Sequence, residues 1–219
     1  MQLVIGNKNY SSWSMRAWLL LRHFQVPFEE IKVSLFSDGY RDVLAKYSPT
    51  LRVPVLIDAT ETIWDSLAIC EYVSEKYLAG GALPRDLELR ARCRSYCSEM
   101  HSGFMAIRSE LPMNCNARRK VEFSVEVVTE CNRVDQLWSA ASTMQSESGS
   151  YLFGDFSIAD CMYAPMAMRF LTYGITLSAA SNKYIETLQQ NPAVKQWLKE
   201  AQKEKERLPE YEIGVDLTI

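Results

Sequence analysis

Residues 48–58 read Ser48-Pro49-Thr50-Leu51-Arg52-Val53-Pro54-Val55-Leu56-Ile57-Asp58. Val53 to Ile57 is an apolar strand with a proline inside it. Proline has no N–H to give to a ladder, so it belongs at a strand's start or edge. Glu61 to Trp64 makes a second short strand, close enough for a hairpin. Asp65 then caps a helix over Ser66 to Tyr77, with Leu67, Ile69, Val73 and Tyr77 at helical spacing.

Upstream, Leu3 to Ile5 reads as a short buried strand, Ser11 to Ser14 as a polar turn, and Met15 to Phe24 as a helix ended by Pro27. Phe28 to Leu35 alternates like a strand. Asp38-Gly39 marks a turn, and Tyr40 to Tyr47 a short helix. The order β-α-β-α-β-β-α describes an α/β sandwich, with its first two strands parallel across a helix.

Downstream, Leu78-Ala79-Gly80-Gly81-Ala82-Leu83-Pro84 breaks the pattern. Beyond it strand signals largely vanish. Helical stretches run over Asp86 to Glu110, Ala117 to Met144, Ser157 to Tyr173, Ala179 to Gln190 and Pro192 to Lys205. Breaks fall at Leu111-Pro112, Glu147 to Ser150 and Gly174. The expected organisation is an α/β domain over 1–78, a linker over 79–85 and an all-helical domain over 86–219.

The chain has 219 residues, 47% apolar and 23% charged, an ordinary globular balance. Its net charge of −3 gives no basic excess for a phosphate backbone, so no nucleic-acid partner is expected. No apolar run approaches the roughly 20 residues of a membrane span, and the N-terminus lacks the pattern of a signal peptide. Six cysteines (Cys70, Cys93, Cys97, Cys115, Cys131, Cys161) form no CxxC pair, and only His23 and His101 could join them, so no metal is expected. Cys93 and Cys97 share a helical face and read as core thiols rather than a redox pair.

Three strings carry chemistry. Tyr10-Ser11-Ser12-Trp13-Ser14-Met15-Arg16 opens the first helix, where backbone N–H groups and the helix dipole favour an anion. A serine hydroxyl there can donate to a thiolate. A free thiol ionises near pH 8.5, so a donor that stabilises only the thiolate makes the sulfur a nucleophile at neutral pH. Arg52-Val53-Pro54-Val55 and Trp64-Asp65-Ser66-Leu67 follow. A fourth string, Gly154-Asp155-Phe156-Ser157-Ile158-Ala159-Asp160, contains a capping box over Ser157 to Asp160, with Phe156 placed as a staple.

The order of elements and these strings resemble the cytosolic glutathione transferase superfamily over nearly the whole chain. SSWSMR is most similar to the SSCSWR string of the zeta class, the maleylacetoacetate isomerases, with Trp13 in place of the zeta cysteine. The resemblance implies a thioredoxin-like glutathione-binding domain followed by an all-α helical bundle. It puts the catalytic serine on Ser11 with Ser12 beside it, an assignment that one gap would exchange. Pro54 would be cis, turning the Val53 backbone toward the cysteinyl part of glutathione. Arg52 would pair with the glycine carboxylate. Ser66 would hold the γ-glutamyl carboxylate and Asp65 its ammonium.

The second substrate, a small hydrophobic electrophile, would sit between the domains near Trp13, His101, Phe104 and Arg108. Met100, Phe104 and Ile107 are helically spaced and read as core more readily than as pocket. The implied activity is glutathione transfer by conjugation, dehalogenation or glutathione-assisted isomerisation. The resemblance also implies a cytoplasmic homodimer with glutathione as substrate. A non-catalytic binding or regulatory protein, as the stringent starvation proteins are, is the competing reading. The site strings are all present, which favours the enzyme.

Overall fold

The computed structural model describes residues 1–144 and 149–217. Strands β1 (Gln2–Ile5), β2 (Glu29–Lys32), β3 (Val55–Asp58) and β4 (Glu61–Ile63) form one sheet in the order β2-β1-β3-β4. β1 runs parallel to β2 and antiparallel to β3, and β3-β4 is the expected hairpin. Alternation along β1 splits its side chains between two cores. Leu3 and Ile5 join the main core, while Val4 joins Val33, Leu44 and Val55 beneath helix α2 (Tyr40–Ala45).

Helix α1 (Ser12–His23) is apolar on most faces, as a helix buried on most sides must be. It packs against α3 (Ser66–Leu78), α7 (Ile158–Tyr173) and α9 (Pro192–Ala201). The remaining helices are α4 (Leu87–Ser102), α5 (Met105–Glu110), α6 (Val125–Met144) and α8 (Ala179–Gln190). The sheet-bearing part and the helical part share a core. Trp18 of α1 meets Trp197 of α9 edge-on at 5.2 Å. The buried Lys8 ammonium lies 4.9 Å from the Trp18 ring centre and pairs with both Glu30 and Glu200. His23 stacks on Phe156 at 3.9 Å.

The capping box is present. The Asp160 carboxylate accepts from the Ser157 N–H (2.8 Å), the Ser157 hydroxyl (2.9 Å) and the Leu152 N–H (3.1 Å). The cysteines are free, and all but Cys115 are buried.

The helical stretches differ from expectation in three places. Asp86 to Glu110 is two helices, because Gly103 is extended and Phe104 takes a φ of 58°. The break is held from elsewhere: the Glu130 carboxylate of α6 accepts from the N–H groups of Ala106 (3.2 Å) and Ile107 (2.9 Å), donors a continuous helix would have used itself. Ala117 to Met144 is helical only from Val125. Before it, β5 (Arg119–Lys120) pairs antiparallel with β6 (Val215–Asp216), so the second half contains a small ribbon. Helix α9 stops at Ala201 rather than Lys205. The expected break at Glu147 to Ser150 lies partly outside the described residues.

Candidate functional site

A cavity of about 550 Å³ opens where the β1-α1 turn, the loop before β3, α5, α7 and the C-terminal segment meet. Ser11, Ser12, Trp13, Arg16, Arg52, Val53, Arg108 and Arg169 line it, with Tyr10, Phe36 and Tyr211 among its aromatic walls.

The α1 terminus supplies the two serines. Ser11 occupies the N-cap position, yet its side chain caps nothing. Its hydroxyl donates to Ser14 Oγ at 2.7 Å, and Ser14 Oγ also accepts the Gly6 N–H at 3.1 Å. Ser12 is the first helical residue, and its Oγ accepts from Arg169 Nη2 at 3.3 Å.

Val53–Pro54 is cis. The β1-β3 ladder begins at Val55, so Val53 lies outside it, on the cavity wall. The Ser48 hydroxyl fixes the approach by accepting the Arg52 N–H (3.1 Å) and donating to the Arg52 carbonyl (2.9 Å). The Arg52 side chain is exposed at the cavity.

At the start of α3, Asp65 caps the helix through the Leu67 N–H at 2.8 Å. Its other carboxylate oxygen faces His101 Nε2 at 3.4 Å. Ser66 is only 1% exposed, and its hydroxyl has no partner. An unpaired hydroxyl at the N-terminus of a 13-residue helix is a group ready to donate to an anion.

Three guanidiniums converge on the cavity. Arg16 is 2% exposed, and its Nε and Nη1 have no partner. Burial, with Arg108 and Arg169 nearby, pulls it down to about 9, against an opposing pull from Asp65. Arg108 is lowered by burial and donates to the carbonyls of Met100 and His101. Arg169 is lowered to about 10 by burial and by Arg108. Among the described residues none of the three is ion-paired with a carboxylate. Buried cations without anions are costly, and a bound anion would relieve that cost.

The structure thus brings Ser11, Ser12, Trp13, Arg52, Val53 and Arg108 into one cavity, while Pro54, Asp65 and Ser66 are not among its lining residues. It places His101 away from the cavity lining, between Asp65 and the Trp13 ring, which it meets edge-on at 5.4 Å. Phe104 is buried in the main core at the α4-α5 break. Sequence reasoning missed Arg16 and Arg169 as site residues. The signal was available: each is an arginine inside an otherwise apolar helical run, where a charge is retained for a reason. Among the described residues there is no cluster of His, Cys, Asp and Glu able to hold a metal, and no helix is long and apolar enough to cross a membrane.

Comparison with known proteins identifies the fold and the family. The family model for the glutathione S-transferase N-terminal domain matches residues 10–76, and that for its C-terminal domain matches residues 117–200. A probable maleylacetoacetate isomerase of Caenorhabditis elegans is 27% identical over 83% of this chain and 85% of its own. A glutathione transferase homolog from Burkholderia, solved with bound glutathione, is 28% identical with a TM-score of 0.69, covering 93% of this chain and 98% of that one. The holo structure of a bacterial maleyl pyruvate isomerase of the zeta class shares the fold at a TM-score of 0.71 and 21% identity, covering 93% and 99%. With both domains matched in order and a fold shared along nearly its whole length, the chain belongs to the glutathione S-transferase superfamily.

Proposed function

We propose that this protein binds glutathione across the α1 and α3 termini and transfers its thiolate to a small electrophile that carries a negative charge. The chain is an enzyme of the glutathione transferase type. The Val53 backbone pairs with the cysteinyl unit, Ser66 and the α3 terminus take the γ-glutamyl carboxylate, Asp65 takes the ammonium, and Arg52 takes the glycine carboxylate. The sulfur then falls at the α1 terminus beside Ser11 and Ser12, where a thiolate is favoured over a thiol. Proximity and electrostatic stabilisation supply the rate.

The observation that carries the choice of substrate is the convergence of Arg16, Arg108 and Arg169 on the cavity. A wholly apolar electrophile would leave these cations buried without an anion; a carboxylate-bearing one would not. This departs from the hydrophobic electrophile expected from sequence. It also favours glutathione-assisted isomerisation of an unsaturated acid as a second reading, in keeping with the isomerase relatives. The protein is proposed to act as a cytoplasmic homodimer.

The test is steady-state turnover with a neutral aryl halide and with a carboxylate-bearing enone, each at low and high salt. A higher kcat/KM for the enone, falling as salt rises, supports the proposal. A preference for the neutral substrate, indifferent to salt, removes the anionic reading. Absence of glutathione binding in calorimetry removes the enzyme reading itself.

A further inference from the structure

We propose that the Asn7 side-chain amide is a catalytic donor: it binds the carbonyl oxygen of the electrophile and holds the negative charge that gathers there when the thiolate adds. The inference rests on the transferase reading above and deepens it, by naming the acceptor as a conjugated carbonyl compound.

Three residues that line the cavity carry buried side-chain donors without a partner among the described residues: Asn7, Arg16 and Arg108. The arginines call for an anion. Asn7 is the uncharged one of the three. It follows β1 by way of Gly6 and is 1% exposed. Its Oδ1 accepts the Leu35 N–H at 2.9 Å. Its backbone carbonyl accepts the N–H groups of Ser11 at 2.8 Å and Tyr10 at 3.2 Å. The Leu35 bond settles which end of the amide is the oxygen, and leaves Nδ2 with its protons and no acceptor. That group is shielded from water, so its acceptor has to arrive with a ligand.

The position suits the chemistry. The bond from the Ser11 N–H ties Asn7 to the α1 terminus, where the sulfur is held. Gly6 keeps the turn tight: a Cβ there would stand 2.5 Å from Leu35 Cδ1 and 3.3 Å from Ser11 Cβ. Asn7, Ser11 and Leu35 thus come together, and all three line the cavity. An uncharged amide binds a ground-state carbonyl weakly and an enolate oxygen strongly, so its effect falls on the transition state. The arginines instead face a carboxylate whose charge does not change during the reaction, and so serve binding.

In the step, the thiolate sulfur bonds to the carbon β to the carbonyl. The C=C pair moves between the α-carbon and the carbonyl carbon, and the carbonyl pair moves onto oxygen. Asn7 gives a hydrogen bond and no proton. Water then protonates the α-carbon, which completes conjugation. Alternatively the C–S bond breaks after rotation about the former double bond, which returns the thiolate and the isomerised acceptor.

The experiment measures turnover of two carboxylate-bearing electrophiles of equal charge, an enone and para-chloromethylbenzoate, at saturating glutathione. The first reaction places new charge on a carbonyl oxygen; the second places it on the departing chloride. The proteins are the full-length parent, Asn7→Ala and Asn7→Asp. Asn7→Ala is expected to lower the enone-to-chloride ratio of kcat about tenfold or more. Asn7→Asp keeps the acceptor for Leu35 and lowers the ratio at about pH 8, where a carboxyl is ionised. Its ratio climbs as the pH falls and the carboxyl regains a proton to donate. A residue that only anchors Leu35 would slow both reactions alike. A parental ratio in Asn7→Ala overturns the inference. If that variant does not fold, a parental ratio in Asn7→Asp at about pH 8 overturns it. Either result leaves the transferase reading standing, because the parent still turns over both compounds. A parent that binds no glutathione in calorimetry overturns both.

Discussion

The Arg108 guanidinium lies against the Trp13 ring, 5.0 Å from its centre. Arg16 approaches the same ring at 4.3 Å. Trp13 therefore holds two of the cavity's three cations. Each such contact is worth about 0.5–1 kcal/mol at modest exposure. Trp13→Leu is expected to raise KM for a carboxylate-bearing electrophile about fivefold or more while changing KM for a neutral one little. Parallel changes in both would show that Trp13 shapes the cavity without aiming its charges.

Asp65 combines two tasks that can be separated. As the α3 cap it accepts from Leu67 N–H at 2.8 Å. Asp65→Ala should cost about 1 kcal/mol of stability. Asp65→Asn keeps a capping oxygen and should melt close to the parent, yet lose affinity for glutathione about tenfold or more through the missing charge. Calorimetry beside thermal denaturation checks both. An Asn variant with parental glutathione affinity would remove Asp65 from the ligand site.

Glu130 sits on α6 but finishes α5, through Ala106 N–H and Ile107 N–H. Glu130→Ala leaves those donors without an acceptor at the α4-α5 break. It is expected to cost about 1–3 kcal/mol in urea denaturation, with Glu130→Gln costing less. Because Arg108 rides on α5, the alanine variant should also weaken anionic substrates. Stability equal to the parent would show that water replaces the carboxylate.

Asp58 gives a dependence on acid. Its carboxylate accepts from Lys76 at 2.7 Å, Tyr77 at 2.6 Å and Tyr72 at 2.9 Å, tying β3 to α3. The Lys76 bond first, then Tyr77, holds it down at about 2, with burial opposing. An unfolded aspartate titrates near 3.9. The folded value is the lower one, so the stabilisation is complete above pH ~4 and fades as pH falls through ~2. The stability gap between parent and Asp58→Asn should therefore shrink between about pH 4 and pH 2. A gap that holds constant across that window would contradict the assignment.

Local signals were read well because their causes are local. The cap at Asp65 and the box from Ser157 to Asp160 each depend on residues adjacent in sequence, whereas the cis bond before Pro54 was expected from the family resemblance. The break at Gly103-Phe104 was hidden because its acceptor, Glu130, lies on another helix. The β5-β6 ribbon was hidden for the same reason: its partners are some 95 residues apart. The site was half legible. The serines, Val53 and Asp65 belong to short strings. Arg169 lies in a helix whose apolar pattern reads as core, and only its charge marks it.

The contact of Trp18 with Trp197, with Lys8 held beneath it by Glu30 and Glu200, bears on modularity. The last long helix completes the interior of the first domain. The Gly-rich segment near residue 80 is thus a covalent joint without being a seam. A chimaera that grafts residues 1–78 onto another transferase's helical half would inherit an uncovered indole and a stranded ammonium. Exchange of parts between such enzymes has to carry α1 and α9 together.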